Sequence, residues 1–308
     1  DELLGYPSDE NDYVVVGSTP QAMHDQGFTP VGKDFPVFLH PHTKEEYALA
    51  RTERKTGHGY QGFSFNAAPE VTLEQDLARR DLTINAIAKS AEGDYIDPYG
   101  GKSDITKKLL RHVSPSFRED PVRILRTARF CARYHHLGFT IADNTMALMR
   151  DMVADGEAHH LVAERVWKEW QRAFGERNPE IFIDTLLRCG ALQIIAPECM
   201  TLFSETPQLN ISKDLNCEAI TALKQASELT EEPAIRMAAM FRAHHGAWPT
   251  LAPLFQRFNA PKHYSELSRL ALSAGDTCDQ GSELSAAATY ALFESCDAWR
   301  RPDRFLQT

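Results

Sequence analysis

Two carboxylates and a row of arginines are the residues of this chain whose types and spacing can do chemistry. Glu10 and Asp12 stand two apart before Tyr13-Val14-Val15-Val16-Gly17, a run that reads as a strand. Alternate residues entering a strand project to one face, so the pair can hold divalent metal ions through hard oxygen ligands. Acidic pairs of this kind also serve as plain turn residues, and spacing alone leaves both uses open. Further on, Glu119-Asp120-Pro121-Val122-Arg123 lies in a stretch, 116–130, whose pattern predicts a helix. Asp120 suits the N-cap, and Pro121 the first turn, where a missing N–H costs nothing. At about 100° per residue, Arg123, Arg126, Arg129 and Arg133 share roughly a third of the circumference, opposite Ile124, Leu125, Ala128 and Ala132. One face should pack and the other meet anions. Asp120 and Arg123, three apart, offer acceptors and donors suited to a nucleobase edge. A third group lies on 73–88, which also reads as a helix. There Asp81 and Asn85, one turn apart, can bond a ribose beside Arg80, which can take a phosphate; equally, they can bond each other.

These groups need elements to position them. Ser18 or Thr19 caps a short helix running to Gly27, and 35–39 and 46–51 read as strands. Between Arg51 and Pro69 the chain is rich in glycine (Lys55-Thr56-Gly57-His58-Gly59-Tyr60-Gln61-Gly62) and has no clear periodicity, so an irregular, mobile connection is expected. Tyr95-Ile96-Asp97-Pro98-Tyr99-Gly100-Gly101 reads as a strand end and turn, and 109–113 as a last strand. A mixed sheet with flanking helices follows. From Ser116 onward only helical periodicity is found, over 143–154, 162–174, 179–189, 217–229 and 233–244. The expected fold class is therefore α+β, with a mixed-sheet head followed by all-α segments.

Composition narrows the function classes. With 308 residues, 43% of them hydrophobic, the chain can bury the cores of two or more domains. No run approaches the roughly 18 apolar residues of a membrane span and no leader opens the chain, so a cytoplasmic location without membrane contact is expected. The six cysteines are scattered without a CxxC pair, which argues against a zinc site or a disulfide framework. The pairs His135-His136, His159-His160 and His244-His245 do not suggest a metal either, because helix neighbours point about 100° apart. A net charge of −10 disfavours indiscriminate polyanion binding, so any nucleic-acid site must be local, as the arginine row would be.

Five segments in order carry a more specific likeness: Asp12 to Gly17, Ala50-Arg51-Thr52-Glu53-Arg54, Arg79-Arg80-Asp81-Leu82-Thr83-Ile84-Asn85-Ala86, Asp97-Pro98-Tyr99, and Glu119 to Arg123. Together they resemble the class II tRNA nucleotidyltransferases, the bacterial CCA-adding enzymes of the polymerase-beta superfamily. The resemblance covers about the first 170 residues. It implies a polymerase-beta-like nucleotidyltransferase head over 1–113, a helical neck with the nucleotide-recognition helix over 114–175, and a helical body and tail for tRNA binding over 176–308. It also implies template-independent addition of C, C and A to the 3′ end of tRNA from CTP and ATP, with release of pyrophosphate.

Carried over residue by residue, Glu10 and Asp12 become the catalytic metal ligands for two Mg²⁺ ions. Arg80, Asp81 and Asn85 become ribose contacts, and Asp120, Arg123, Arg126 and Arg129 become nucleotide-recognition residues. Glu164-Arg165-Val166-Trp167-Lys168-Glu169 resembles the helix-stabilising neck motif. Three departures stand out. The family's Gly-Gly phosphate loop, expected just before Asp1, is not in this sequence. Glu10 stands where the family usually has Asp. No HD phosphohydrolase motif is read in the chain, so the type expected lacks that domain. Two other readings stay open: a bacterial poly(A) polymerase, which shares these motifs, and a non-catalytic RNA-binding protein on a decayed transferase fold. Oligomeric state is not legible.

Overall fold

The computed structural model describes residues 2–6, 11–31, 37–55, 63–203, 217–243 and 248–307. It divides into two compact units, 1–123 and 124–308.

The first unit is built on a four-stranded sheet. Its strands are β1 (Tyr13–Val15), β2 (Thr29–Val31), β3 (Val37–Leu39) and β4 (Glu46–Leu49), in the order β1-β4-β3-β2. β1 runs parallel to β4, while β3 is antiparallel to both β4 and β2, so the expected mixed sheet is present. Helix α1 (Pro20–Asp25) connects β1 to β2, and the Thr19 hydroxyl caps it by accepting from Ala22 N at 3.1 Å. Met23, Phe38 and Leu49 form the small core of this sheet. The glycine-rich stretch is not wholly irregular: β5 (Thr52–Lys55) and β6 (Phe63–Asn66) pair as an antiparallel hairpin in register from Thr52↔Asn66 to Lys55↔Phe63. Four-residue strands are too short for a period-2 signal to stand out beside so many glycines. Residues 56–62 between them lie outside the described residues, as does Glu10.

The predicted helix over 73–88 is also corrected. Helix α2 (Leu73–Ala78), opened by a Thr72/Gln75 capping box, stops there. Beyond it Leu82 bridges antiparallel to His112, with Val113 N donating to Asp81 O and Thr83 N donating to Arg111 O, and Thr83–Asn85 then make a 3-10 turn. The Asp81 carboxylate accepts from Leu82 N at 2.8 Å, the kind of local side-chain bond that competes with a helix. The remaining elements of this unit are the pair β7 (Ala88–Lys89) and β8 (Tyr95–Ile96), helix α3 (Gly101–Lys107), and β9 (Leu109–Leu110).

The arginine helix, α4, spans Val122–Tyr134 rather than 116–130, because Pro115–Glu119 forms a separate 3-10 turn. The second unit follows as a helical array broken by one short extended pair of residues, Thr140–Ile141. Its helices are α5 (Asp143–Ala154), α6 (Ala163–Gly175), α7 (Pro179–Arg188), α8 (Ala191–Ile195), α9 (Glu218–Leu229), α10 (Pro233–Arg242), α11 (Trp248–Arg257), α12 (Lys262–Asp279), α13 (Ala286–Ser295) and α14 (Pro302–Leu306). Trp170 on α6 is fully buried at the centre, against Phe174, Phe182 and Phe258. Burial pushes the Cys131 thiol up to about 12 and Cys189 to about 11, so both stay protonated at neutral pH and serve as core residues.

Candidate functional site

In the first unit, Asp12 is exposed and sits one residue before β1, an edge strand. That is a position from which a carboxylate can reach a cation, and hard oxygen is the donor Mg²⁺ prefers. Its expected partner, Glu10, is not among the described residues. The described residues contain no group of three or more His, Cys, Asp or Glu side chains able to hold a metal. The one His-Asp dipeptide of the chain, His24-Asp25, lies exposed at the end of α1, and the described histidine pairs 135–136 and 159–160 are exposed too. The third pair, His244-His245, lies outside the described residues.

The second sequence-predicted group is brought together by a different backbone from the one expected. Asn85 is not one helical turn from Asp81, yet its Nδ2 donates to Asp81 Oδ1 at 3.1 Å. Asp81 is buried and Asn85 half-buried, so Asp81 holds Asn85 and Asn85 is the more accessible of the two. The loop that carries them is fastened from below. Thr83 Oγ1 donates to Asp104 Oδ2 at 2.8 Å, and Arg111 Nε donates to the same carboxylate at 3.1 Å. Helix α3 approaches so closely that a Cβ on Gly101 would stand 2.2 Å from Thr83 O, which only glycine avoids. Asp97 in turn accepts from Gly101 N and Lys102 N at 2.7 and 2.9 Å, fixing the start of α3.

Arg80 is half-buried and pairs with Asp76 at 3.6 Å, while Arg79 NH2 donates to the other Asp76 oxygen at 2.6 Å. Arg51 N also donates to Asp76, at 3.2 Å. Asp76 is almost wholly buried and organises three segments, and sequence reasoning overlooked it. Its spacing of three and four residues to Arg79 and Arg80 was the signal that could have found it.

The recognition pair departs from a solvent-facing arginine row. Asp120 is half-buried, and its Oδ1 accepts from Val122 N at 3.1 Å, so it caps α4 as expected. Arg123 is buried, with NH1 donating to Ser116 O at 2.8 Å and NH2 to Arg79 O at 2.5 Å. That one guanidinium joins the segment of Asp81 and Asn85 to the segment of Asp120. Farther along α4, in the second unit, Arg129 is buried and donates from Nε to Glu169 Oε2 at 2.6 Å, with Glu176 Oε1 at 3.4 Å. Arg126 is half-buried, 3.9 Å from Glu169. The expected anion-facing row is therefore mixed, because buried Arg123 and Arg129 are claimed by carbonyls and carboxylates that periodicity cannot see.

Residues 1–111 match the family model described as the poly A polymerase head domain, and residues 138–202 match one described as a probable RNA- and SrmB-binding site of polymerase A. A multifunctional CCA protein of Teredinibacter turnerae is 52% identical across the whole chain, which covers 79% of that relative. One from Tolumonas auensis is 47% identical, with 80% of it covered. The chain belongs to the family of CCA-adding tRNA nucleotidyltransferases. A solved tRNA-processing enzyme shares the fold at 21% identity and a TM-score of 0.66, over 96% of this chain and 77% of that one. The head-plus-helices class read from the sequence is thus the fold of this CCA-adding enzyme. Among its described residues no helix is long and apolar enough to cross a membrane.

Proposed function

We propose that this enzyme extends the 3′ end of tRNA by selecting CTP and ATP on its own side chains, with Asp12 and Glu10 as the metal-holding carboxylates. The observation that carries the reading is the bonding of Arg123 to Ser116 O and Arg79 O. It unites, within the first unit, the residues suited to a ribose and those suited to a base edge. Asn85, oriented by Asp81, is the ribose contact, and Arg80, steadied by Asp76, faces the phosphates. Asp120 and Arg123 read the base, and Arg126 and Arg129 belong to the same recognition helix. Cytosine and adenine each carry an exocyclic amino donor beside a ring-nitrogen acceptor, so one carboxylate and one guanidinium serve both. Guanine and uracil invert that order and would set carbonyl against carboxylate.

Two Mg²⁺ ions at Asp12 and Glu10 would supply nucleophile activation and charge stabilisation when bound. The protein's own part is to hold the nucleotide by ribose, base and phosphates while the tRNA 3′ hydroxyl approaches the α-phosphate and pyrophosphate departs in line. The division proposed for this work is a catalytic head over 1–113, a neck over 114–175 and a tRNA-binding body and tail over 176–308, acting in the cytoplasm. Identity to CCA proteins across the full chain favours this reading over a poly(A) polymerase or a decayed transferase.

The test is single-turnover extension of tRNA lacking its CCA end with each of the four nucleotides. A mismatched polar pair in a buried site costs about 1–3 kcal/mol, so Asp120→Ala and Arg123→Ala should lose about ten- to a hundredfold of the rejection of GTP and UTP. Equal loss of rate with all four nucleotides would make the start of α4 a scaffold and move base selection elsewhere.

A further inference from the structure

Within the second unit, Arg129 and Arg133 on α4, Arg172 and Gly175 on α6, and the following Glu176 line an open cleft of about 410 Å³. Its size falls within the roughly 300–1,000 Å³ of sites that take small ligands. Three arginines and one glutamate line it, and with Arg129 paired to Glu169 a positive excess remains in a chain whose net charge is −10. The arginines differ in freedom. Arg129 is buried and anchored on Glu169, Arg133 is half-buried, and Arg172 is exposed at the rim. Gly175 leaves the rim without a side chain.

Glu176 is the odd member. It is half-buried; its backbone carbonyl accepts from Arg236 NH1 at 2.7 Å, but its carboxylate accepts a long bond, from Arg129 NH1 at 3.4 Å. Burial raises its carboxyl above the ordinary value even though Arg129 and Arg133 pull the other way. A carboxylate so placed is poorly solvated and weakly held. A phosphodiester brings more acceptor oxygens and a permanent charge, and guanidinium groups bind it through paired, charge-assisted hydrogen bonds.

We propose that this cleft seats a backbone phosphate of the bound RNA, and that Glu176 is its resident competitor, occupying the arginines until the phosphate displaces it. The proposal rests on the tRNA reading above. Binding is therefore an exchange of one anion for another, so removing the charge of Glu176 strengthens it and removing Arg172 weakens it.

The experiment titrates tRNA lacking its CCA end against the full chain by fluorescence anisotropy across a series of KCl concentrations. Arg172→Ala should raise Kd about three- to tenfold at low salt and reduce the slope of log K against log salt by about one. Glu176→Gln should lower Kd, an opposite sign that misfolding does not produce, and the thermal midpoint of each variant reports its fold. The KM for CTP should stay unchanged in Arg172→Ala. Wild-type binding with Kd and slope unchanged in both variants would overturn the proposal alone. Effects appearing instead in the KM for CTP or in pyrophosphate inhibition, with tRNA affinity unmoved, would overturn it in favour of a nucleotide phosphate seat. A wild-type chain that bound no tRNA would remove the tRNA reading and this proposal with it.

Discussion

Arg123 and Arg129, two turns or so apart on α4, are equally buried, at 6% and 5% exposure, yet they tie down different parts of the chain. In the head, Arg123 donates to the carbonyls of Ser116 and Arg79 and so ties two segments together. In the helical unit, Arg129 pairs closely with the carboxylate of Glu169 at 2.6 Å and only loosely with that of Glu176 at 3.4 Å. A carbonyl orients a guanidinium through a hydrogen bond, whereas a carboxylate also pairs with its charge and can tie two helices together. The same residue type on one helix thus joins loop segments at one end, where the proposed function puts base recognition, and two helices at the other. Arg236 on α10 is a useful control on that contrast. It too is buried and bonded to carbonyls, those of Phe174, Glu176, Ser227 and Thr230, but they belong to helix ends it closes off, and none of the residues proposed for catalysis in the head takes part.

If the contrast is right, changes in the head should alter chemistry at constant stability and changes in the helical unit should do the reverse. The largest effect is expected from Asp12→Ala. Losing the carboxylate proposed above to hold metal should cost several kcal/mol of barrier, or about a thousandfold in transfer rate. Asp12 is exposed, so the thermal midpoint should not move. A variant that kept most of its activity would place the metal site elsewhere.

Glu169→Ala should come next and show the opposite signature. It leaves Arg129 buried without its 2.6 Å partner, and breaking a buried pair from one side typically costs about 3–5 kcal/mol. Denaturant unfolding would measure it. A loss below about 1 kcal/mol would mean that Glu176 alone can carry the charge and that the contrast is overdrawn.

The smallest effect is a pH dependence at Asp184 on α7. This carboxyl is buried, its Oδ1 has no hydrogen-bond partner among the described residues, and burial raises its pKa although Arg188 at 3.6 Å lowers it. A carboxyl whose pKa is raised on folding costs stability when ionised, so the cost is present at neutral pH and fades as pH falls through the folded pKa. Asp184→Asn should therefore unfold at a slightly higher temperature than the wild type at pH 7, with the gap closing in acid. A gap independent of pH would assign the gain to packing rather than to charge.

Much of this was legible in the sequence because it is local. The capped start of α4, the acidic residue before β1, the mixed sheet and the helical second half all follow from spacing and turn chemistry within a few residues of one another. The order of the five short segments pointed to the family, because each has a residue pattern that survives without knowledge of its neighbours in space. What the tertiary structure alone decided is where long-range hydrogen bonds go. Periodicity carried the helix through Asp81 to Ala88, but pairing with 111–113 ends it at Ala78, and Asp81 still meets Asn85 by another path. Nothing near Arg123 in sequence says that its guanidinium reaches a carbonyl 44 residues earlier, nor that Asp104 fastens Thr83 from 21 residues away. A hydrogen bond between distant segments has no period and leaves no local mark, so which partners each arginine of the row meets is settled only when the chain has folded.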